Sequence, residues 1–153
     1  MSENPISGVT GIIGSGLLAQ DQRMSLIASN MANADSIATP GSQPFRAVEP
    51  IFAALPLSDP EDEDMNDLPD PNDPPGAASV DVIATMQSSA PAKLVYDPGS
   101  PAANRAGYVL ESNVSEVQQM VDMIDASQDY EAQVAVLDEH EHTEAMIAQS
   151  FIA

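Results

Sequence analysis

The stretch that decides the fold is Ile27-Ala28-Ser29-Asn30-Met31-Ala32-Asn33-Ala34. It ends an amphipathic pattern that begins near Gly11, and it places Asn30 and Asn33 one helical turn apart among small residues. A surface helix more often carries Lys or Glu at such positions. Because small residues and short amides suit a helix that packs closely against other helices, the stretch indicates assembly rather than chemistry.

A helix is predicted over residues 11–34, because apolar side chains recur there in steps of three and four. The resulting seam consists of Ile13, Leu17, Met24, Ile27, Met31 and Ala34, with Gln20 in the one polar position. Leu18 and Leu26 widen the apolar surface, which predicts more than one packing neighbour. Four glycines between residues 8 and 16 weaken the start of this helix in isolation.

A second, longer helix is predicted from residue 114 to about residue 150, with Asn113 or Ser115 as its cap. Its apolar stripe consists of Val114, Val117, Val121, Ile124, Tyr130, Val134 and Leu137. A long helix at each end of the chain predicts an antiparallel pair. In that pair we expect Leu17, Met24, Ile27 and Met31 to face Val121, Ile124, Val134 and Leu137.

The middle of the chain predicts a small β element. Residues 45–55 are expected to be extended and interrupted by Pro50, and residues 79–86 alternate as a half-buried strand does. Residues 94–96 and 108–110 are further strand candidates, with a turn at Asp97-Pro98-Gly99 between them. Residues 59–73 hold eight acids, three prolines and no base, which predicts a disordered loop at residues 57–76.

These patterns together predict a mainly α fold, in which long terminal helices form an antiparallel coiled-coil pair around a small β element and the acidic loop. We expect residues 1–38 and 113–153 to make one discontinuous helical domain. Residues 39–112 are then a small insertion. The β element is too short to stand as a robust domain alone.

Composition excludes several classes of function. The net charge is −20, from 24 acidic and 4 basic residues, whereas binding to nucleic acid needs clustered Lys and Arg. No apolar run approaches the roughly 20 residues of a membrane-spanning helix, so no membrane insertion is expected. The absence of cysteine excludes disulfides and zinc–thiolate sites. The N-terminus lacks the basic region of a cleavable signal peptide.

No candidate active site emerges from the motifs. His140 and Glu144 lie one helical turn apart, but a zinc protease helix needs two His at that spacing, and His142 lies only two residues from His140. The acidic stretch 59–64 lacks the glycine of a calcium loop. Gly11-Ile12-Ile13-Gly14-Ser15-Gly16 lacks the Lys that would meet a phosphate. We therefore expect no catalytic residue, no metal and no cofactor.

The chain resembles the bacterial flagellar basal-body rod proteins over most of residues 12–137. Residues 15–23 and 27–36 are similar to the family's N-terminal motif, and Gln43-Pro44-Phe45-Arg46-Ala47 is similar to its G-Q-P-Y-R-A stretch. Residues 90–101 and 107–109 look like the block that marks the short, proximal type of rod protein. Residues 113–134 resemble the C-terminal rod helix. Two segments depart from the family, namely the acidic stretch 59–75 and the chain from Asp138 onward.

The resemblance implies a structural subunit that is exported without signal cleavage and stacks helically into the rod that crosses the periplasm and passes torque to the hook. Its partners would be further copies, other rod proteins and the junction between the basal body and the export apparatus. The helix-packing residues expected at subunit interfaces are Leu17, Met24, Ile27, Asn30, Met31, Asn33, Val117, Val121, Ile124, Tyr130, Val134 and Leu137.

Two alternatives stay open at this point. One is a rod protein of the B, F or G type, which lacks the block around Tyr96. The other is a soluble acidic chaperone or regulator built as a helical hairpin. Charge adds an expectation of its own, because from residue 106 onward there are ten acids and no Lys or Arg. Packing such helices side by side requires basic partners or screening salt.

Overall fold

The computed structural model describes residues 5–39, 41–56 and 78–150, and the predicted acidic loop at residues 57–76 lies outside them. Two helices enclose four strands in sequence order. The elements are α1 (Pro5–Ala32), β1 (Val48–Pro56), β2 (Ala78–Gln87), β3 (Lys93–Tyr96), β4 (Tyr108–Glu111) and α2 (Glu116–Ser150).

The prediction of a mainly α fold is wrong, because the strands form two antiparallel two-stranded ribbons beside the helices. β1 and β2, of nine and ten residues, make a long ribbon, and β3 and β4, of four residues each, make a short ribbon. The long ribbon joins segments that the acidic stretch separates in sequence. Local hydrophobic patterns do not reveal pairing between such distant segments.

Pro50 lies inside β1 and does not interrupt it. The N–H and C=O of Val48 both bond to Asn30, so at Val48 they point away from β2. Pro50 is two residues further on and turns its backbone nitrogen to the same outer side, where no ladder hydrogen bond is lost. A bulge follows between Ile51 and Phe52, and it leaves Ile83 without a cross-strand partner.

The helix ends follow from their sequences. Pro5 begins α1, where a missing N–H costs nothing. At the start of α2 the N–H of Gln119 donates to the carbonyl of Ser115 at 2.9 Å, which makes Ser115 the cap residue. Glu116 then lies in the first turn, where the helix dipole favours a negative charge. Asn113, the other candidate cap, uses its amide elsewhere.

The end of α1 and the start of α2 are tied to the same strand. The N–H of Ala38 donates to the carbonyl of Leu110 at 2.8 Å, and the N–H of Ser112 donates to the carbonyl of Ser36 at 3.0 Å. Residues 36–38 thus lie antiparallel to β4. Residues 34–38, 45–48 and 109–114 meet in one region, which we call the junction. Its core is a small cluster of Ala34, Ala47 and Val114, with Phe45 packed against them.

The long ribbon lies alongside α1. Asn30 bonds to Val48 near one end of the ribbon, and the Ser15 hydroxyl accepts a hydrogen bond from the N–H of Val80 at 3.0 Å near the other end. Val80 pairs with Ala54 across the ribbon. Fifteen helical residues span about 22 Å and six strand residues about 20 Å, so the two lengths match.

Candidate assembly surface

The two helices run antiparallel, as their contacts demonstrate. Asp129 accepts a hydrogen bond from Gln20 at 3.3 Å and pairs with Arg23 at 3.5 Å. Further along α1, Asn30 meets Gln119, which lies earlier on α2. In the direction in which residue numbers rise along α1, they therefore fall along α2.

Two contacts with α1 identify the side of α2 that meets it. Ser127 donates to the sulfur of Met24 at 3.8 Å, and a Cβ at Gly16 would lie 2.8 Å from the side-chain oxygen of Gln133. Ala126, next to Ser127, is fully buried. Tyr130 lies four residues after Ala126 and three before Gln133, so it shares this face. Its ring is half-buried, and so are Val134 and Leu137.

The other three predicted residues of α2 lie on the opposite side. Val117 is 73% exposed, Ile124 is 57% exposed, and Val121 is exposed as well. They do not face Leu17, Met24, Ile27 or Met31 within this chain, contrary to the pairing expected from the stripe. The sequence carries two apolar stripes on α2, and the inward one is interrupted by Gln119 and Gln133. That interruption made the outward stripe the stronger signal.

On α1 the predicted residues lie closer to the interior. Ile27 and Asn30 are buried, whereas Leu17, Met24, Met31 and Asn33 are half-buried. Leu18, in contrast, is 66% exposed. The α1 helix is thus covered by α2 and by the long ribbon, and it keeps a narrower outer face.

Asn30 connects three elements through one amide group. Its oxygen accepts from the N–H of Val48 at 2.9 Å, and its nitrogen donates to the carbonyl of Val48 at 2.9 Å and to the side-chain oxygen of Gln119 at 2.8 Å. Gln119 in turn donates to Asp122 at 3.1 Å. Since Asn30 is only 2% exposed, it holds α1, β1 and α2 in one register without help from solvent.

Asn33 has a smaller role. Its amide donates to the carbonyl of Ser29 at 2.8 Å within the last turn of α1. That bond caps a helix carbonyl locally and joins no second element. The two asparagines, alike in sequence, therefore differ in function within the chain.

A second amide organises the junction and was not among the predicted site residues. The Asn113 oxygen accepts from the N–H of Ala47 at 2.8 Å, and its nitrogen donates to the carbonyl of Ala90 at 3.0 Å. The Lys93 ammonium donates to the carbonyl of Val114. The only sequence signal for Asn113 was its place beside Val114 before the helix, which also fitted a capping role.

The short ribbon presents an apolar face. Leu94 pairs with Leu110 and Tyr96 with Tyr108, and all four side chains are exposed. The two tyrosine rings meet edge to face, with centroids 5.2 Å apart. Val109, on the other face of β4, is buried. One side of the ribbon thus closes the junction and the other is open.

The acidic end of α2 holds one contact between ionisable groups. His140 Nδ1 lies 3.2 Å from a carboxylate oxygen of Glu144. Among the described residues no group of three or more His, Asp or Glu side chains is placed to hold a metal ion. Neither α1 nor α2, over the part described, is apolar enough along its length to cross a membrane.

Comparison with known proteins gives consistent matches. The family model described as "Flagellar basal body rod FlgEFG protein C-terminal" matches residues 105–147, which include most of α2 and its acidic stretch. The flagellar basal-body rod protein FlgC of Escherichia coli O6:H1 (strain CFT073) is 43% identical over 128 residues, which cover 82% of this chain and 83% of that protein.

Proteins of other bacteria with the same name are also similar. FlgC of Salmonella typhimurium (strain LT2) is 40% identical over 128 residues, covering 82% of this chain and 83% of its own length. FlgC of Aquifex aeolicus (strain VF5) is 37% identical over 122 residues, covering 79% and 78%. Each of these matches covers about four fifths of this chain.

Proposed function

The chain belongs to the FlgC family of flagellar basal-body rod proteins, and from that membership we propose how its described surfaces take part in the rod. It is a structural subunit of the rod in the flagellar basal body. The family's role is structural, and we propose that this chain performs no catalytic step.

We propose that the subunit assembles through its terminal helices. The observation that carries this proposal is the exposed apolar row on α2, at Val117, Val121 and Ile124, on the side away from α1. Soluble monomers seldom leave several large apolar side chains together in water unless another molecule covers them. Pairing with α1 leaves this row open, so a neighbouring subunit is its natural cover.

The proposed domain organisation follows from the same arrangement. Residues 1–38 and 113–153 would make one discontinuous helical unit, and residues 39–112 would be the insertion that braces it. The long ribbon supports this division, because it lies along α1 and is fixed there by Asn30 and Ser15. Other rod proteins and the junction with the export apparatus are the proposed neighbours, and torque would pass along the stacked helices.

Ile27→Asp tests the helix pair within this function. Ile27 is buried where α1 meets its neighbours, and a carboxylate there would lose its hydration. The described base one helical turn earlier, Arg23, is already paired with Asp129. We expect the variant to be absent from the rod and the cells to be non-motile. The measurement is swimming in soft agar, together with immunoblotting of isolated basal bodies from cells that carry only the variant gene.

Ile27→Val is the matched control, because it removes one methylene and costs about 0.5–1.5 kcal/mol. It should be incorporated and should support swimming. Motility like that of the wild type in Ile27→Asp cells would contradict the proposed assembly through the terminal helices.

A further inference from the structure

The outer side of α2 combines two features. Its apolar part, which we call the outer patch, consists of Val117, Met120, Val121 and Ile124, all exposed. Its charged part includes Asp125, four residues after Val121, and Glu131, seven residues after Ile124. Residues at these spacings lie on one face of a helix, so the two carboxylates continue the face that the patch begins.

The carboxylates beside the patch are uncommitted. Elsewhere on α2, Asp122 accepts hydrogen bonds from Gln118 and Gln119, and Asp129 pairs with Arg23. In the described part of the chain, Asp125 and Glu131 have neither an ion-pair nor a hydrogen-bond partner. α2 itself contains no Lys or Arg.

The α2 helix of a second copy supplies the wrong charge for this face. Two outer sides of α2 packed against each other would bring the carboxylates of both copies to one contact, with no Lys or Arg from either helix. Like charges at such short range destabilise packed helices. The net charge of −20 adds a long-range repulsion between copies.

We propose that the outer patch binds a cationic amphipathic helix of a different protein, with apolar side chains against the patch and Lys or Arg side chains against Asp125 and Glu131. This inference rests on the proposed assembly through the terminal helices and adds the chemistry of the partner. Apolar burial supplies the affinity, and the charges select the partner and its orientation. Association is therefore faster at low salt and weakens as salt screens the carboxylates.

The test uses the full chain and a defined probe. The probe is a synthetic amphipathic helix of Leu and Lys carrying a fluorophore, and its counterpart is the same helix with Glu in place of Lys. Fluorescence anisotropy measures binding to the purified protein at several salt concentrations. We expect saturable one-to-one binding of the Lys probe that weakens with salt, and no binding of the Glu probe.

Variants locate the binding face. The double variant Val121→Ser, Ile124→Ser should lower the affinity by at least about tenfold, because it removes two of the large apolar contacts. Asp125→Asn with Glu131→Gln should lower the affinity at low salt and flatten its salt dependence. All four side chains are exposed, and circular dichroism spectra like that of the wild type should confirm that the variants fold.

Two controls separate the face from general charge attraction. Ile83→Ser changes an exposed apolar residue of β2, and Asp138→Asn with Glu139→Gln removes two exposed acids further along α2. Both should bind the Lys probe as the wild type does. Equal losses in controls and patch variants would overturn the proposal, and so would a failure of the Lys probe to bind.

The second copy remains as a measurable alternative. If sedimentation velocity shows a dimer at low salt that Ile124→Ser abolishes, the patch is a contact between copies and the proposal is overturned. If the Lys probe does not bind while Ile27→Asp cells still lack the rod, this inference alone is refuted. Normal motility of Ile27→Asp cells would refute the proposed function itself.

Discussion

Asn30 contributes to the fold in a way that an apolar residue of similar size could not. Its amide makes both hydrogen bonds that a neighbouring strand would make to Val48, and a third bond to Gln119. A helix cannot extend a sheet through its backbone, since its own N–H and C=O groups are used internally. One buried side chain therefore joins the edge of the long ribbon to the helix pair.

The variant Asn30→Ala should destabilise the protein. It leaves the N–H and C=O of Val48 without their partners in a half-buried place, and each such group costs up to about 1–3 kcal/mol. We expect the urea midpoint of unfolding to fall clearly. Asn33→Ala is the control, because its amide serves only its own helix turn, and a change within about 0.5 kcal/mol is expected. Equal losses in the two variants would contradict the bridging role of Asn30.

At this scale the sequence was informative only in part. The small residues around Asn30 and Asn33 correctly drew attention to the end of α1. Nothing local distinguished the two amides, because their difference depends on Val48 and Gln119, which are distant in sequence. Asn113 was one of two candidate caps for the same reason, since its partners, Ala47 and Ala90, come from elsewhere in the chain.

Among the elements, the two helices were the easiest to predict and the strands the hardest to join. Apolar steps of three and four located α1 and α2, and turn residues located the short ribbon. The outward stripe of Val117, Val121 and Ile124 was mistaken for the inward one, because polar Gln119 and Gln133 occupy the side that meets α1. Asn30 of α1 bonds to Gln119, and Gln20 of α1 bonds to Asp129 on the side that meets α1.

The short ribbon depends on one glycine. Gly107 has φ +81°, which favours glycine, and a Cβ there would lie 2.8 Å from a ring carbon of Tyr96. Gly107→Ala should therefore strain the backbone and displace the tyrosine pair, at a cost of about 1–3 kcal/mol. Unfolding followed by near-ultraviolet circular dichroism, which reports on the tyrosines, measures this cost.

Gly99→Ala provides the comparison within the same loop. Its Cβ would make an ordinary contact, 3.6 Å from Asp97, and its φ lies outside the range that favours glycine. We expect a change of less than about 0.5 kcal/mol. If Gly107→Ala proved as harmless as Gly99→Ala, the packing of Tyr96 over the turn would not matter for stability.

In the whole molecule, charge is distributed unevenly. Three of the four bases, Arg46, Lys93 and Arg105, lie in the segment between the helices, whereas the far half of α2 carries acids without a base. The sequence revealed this imbalance at once. It could not reveal which acids are engaged, because Arg23 reaches Asp129 only after the helices have paired.

Salt should stabilise the isolated subunit. Raising NaCl from about 0.01 M to about 0.15 M shortens the Debye length from about 30 Å to about 8 Å, which weakens the repulsion among the acids. The melting temperature followed by circular dichroism should therefore rise over this range. Glu131→Gln with Glu139→Gln should reduce the slope. A melting temperature that falls with salt would show that attractive pairs such as Arg23–Asp129 dominate.

The antiparallel pairing of α1 with α2 has a consequence for how the chain folds. Asn30 and Gln119 are 89 residues apart in sequence, and Gln20 and Asp129 are 109 apart. Contacts at such separation carry a large loop-closure entropy and slow the folding step. A chain delivered from its N-terminus thus cannot complete its helix pair until α2 has also been delivered. The order of its contacts postpones folding to the end of delivery.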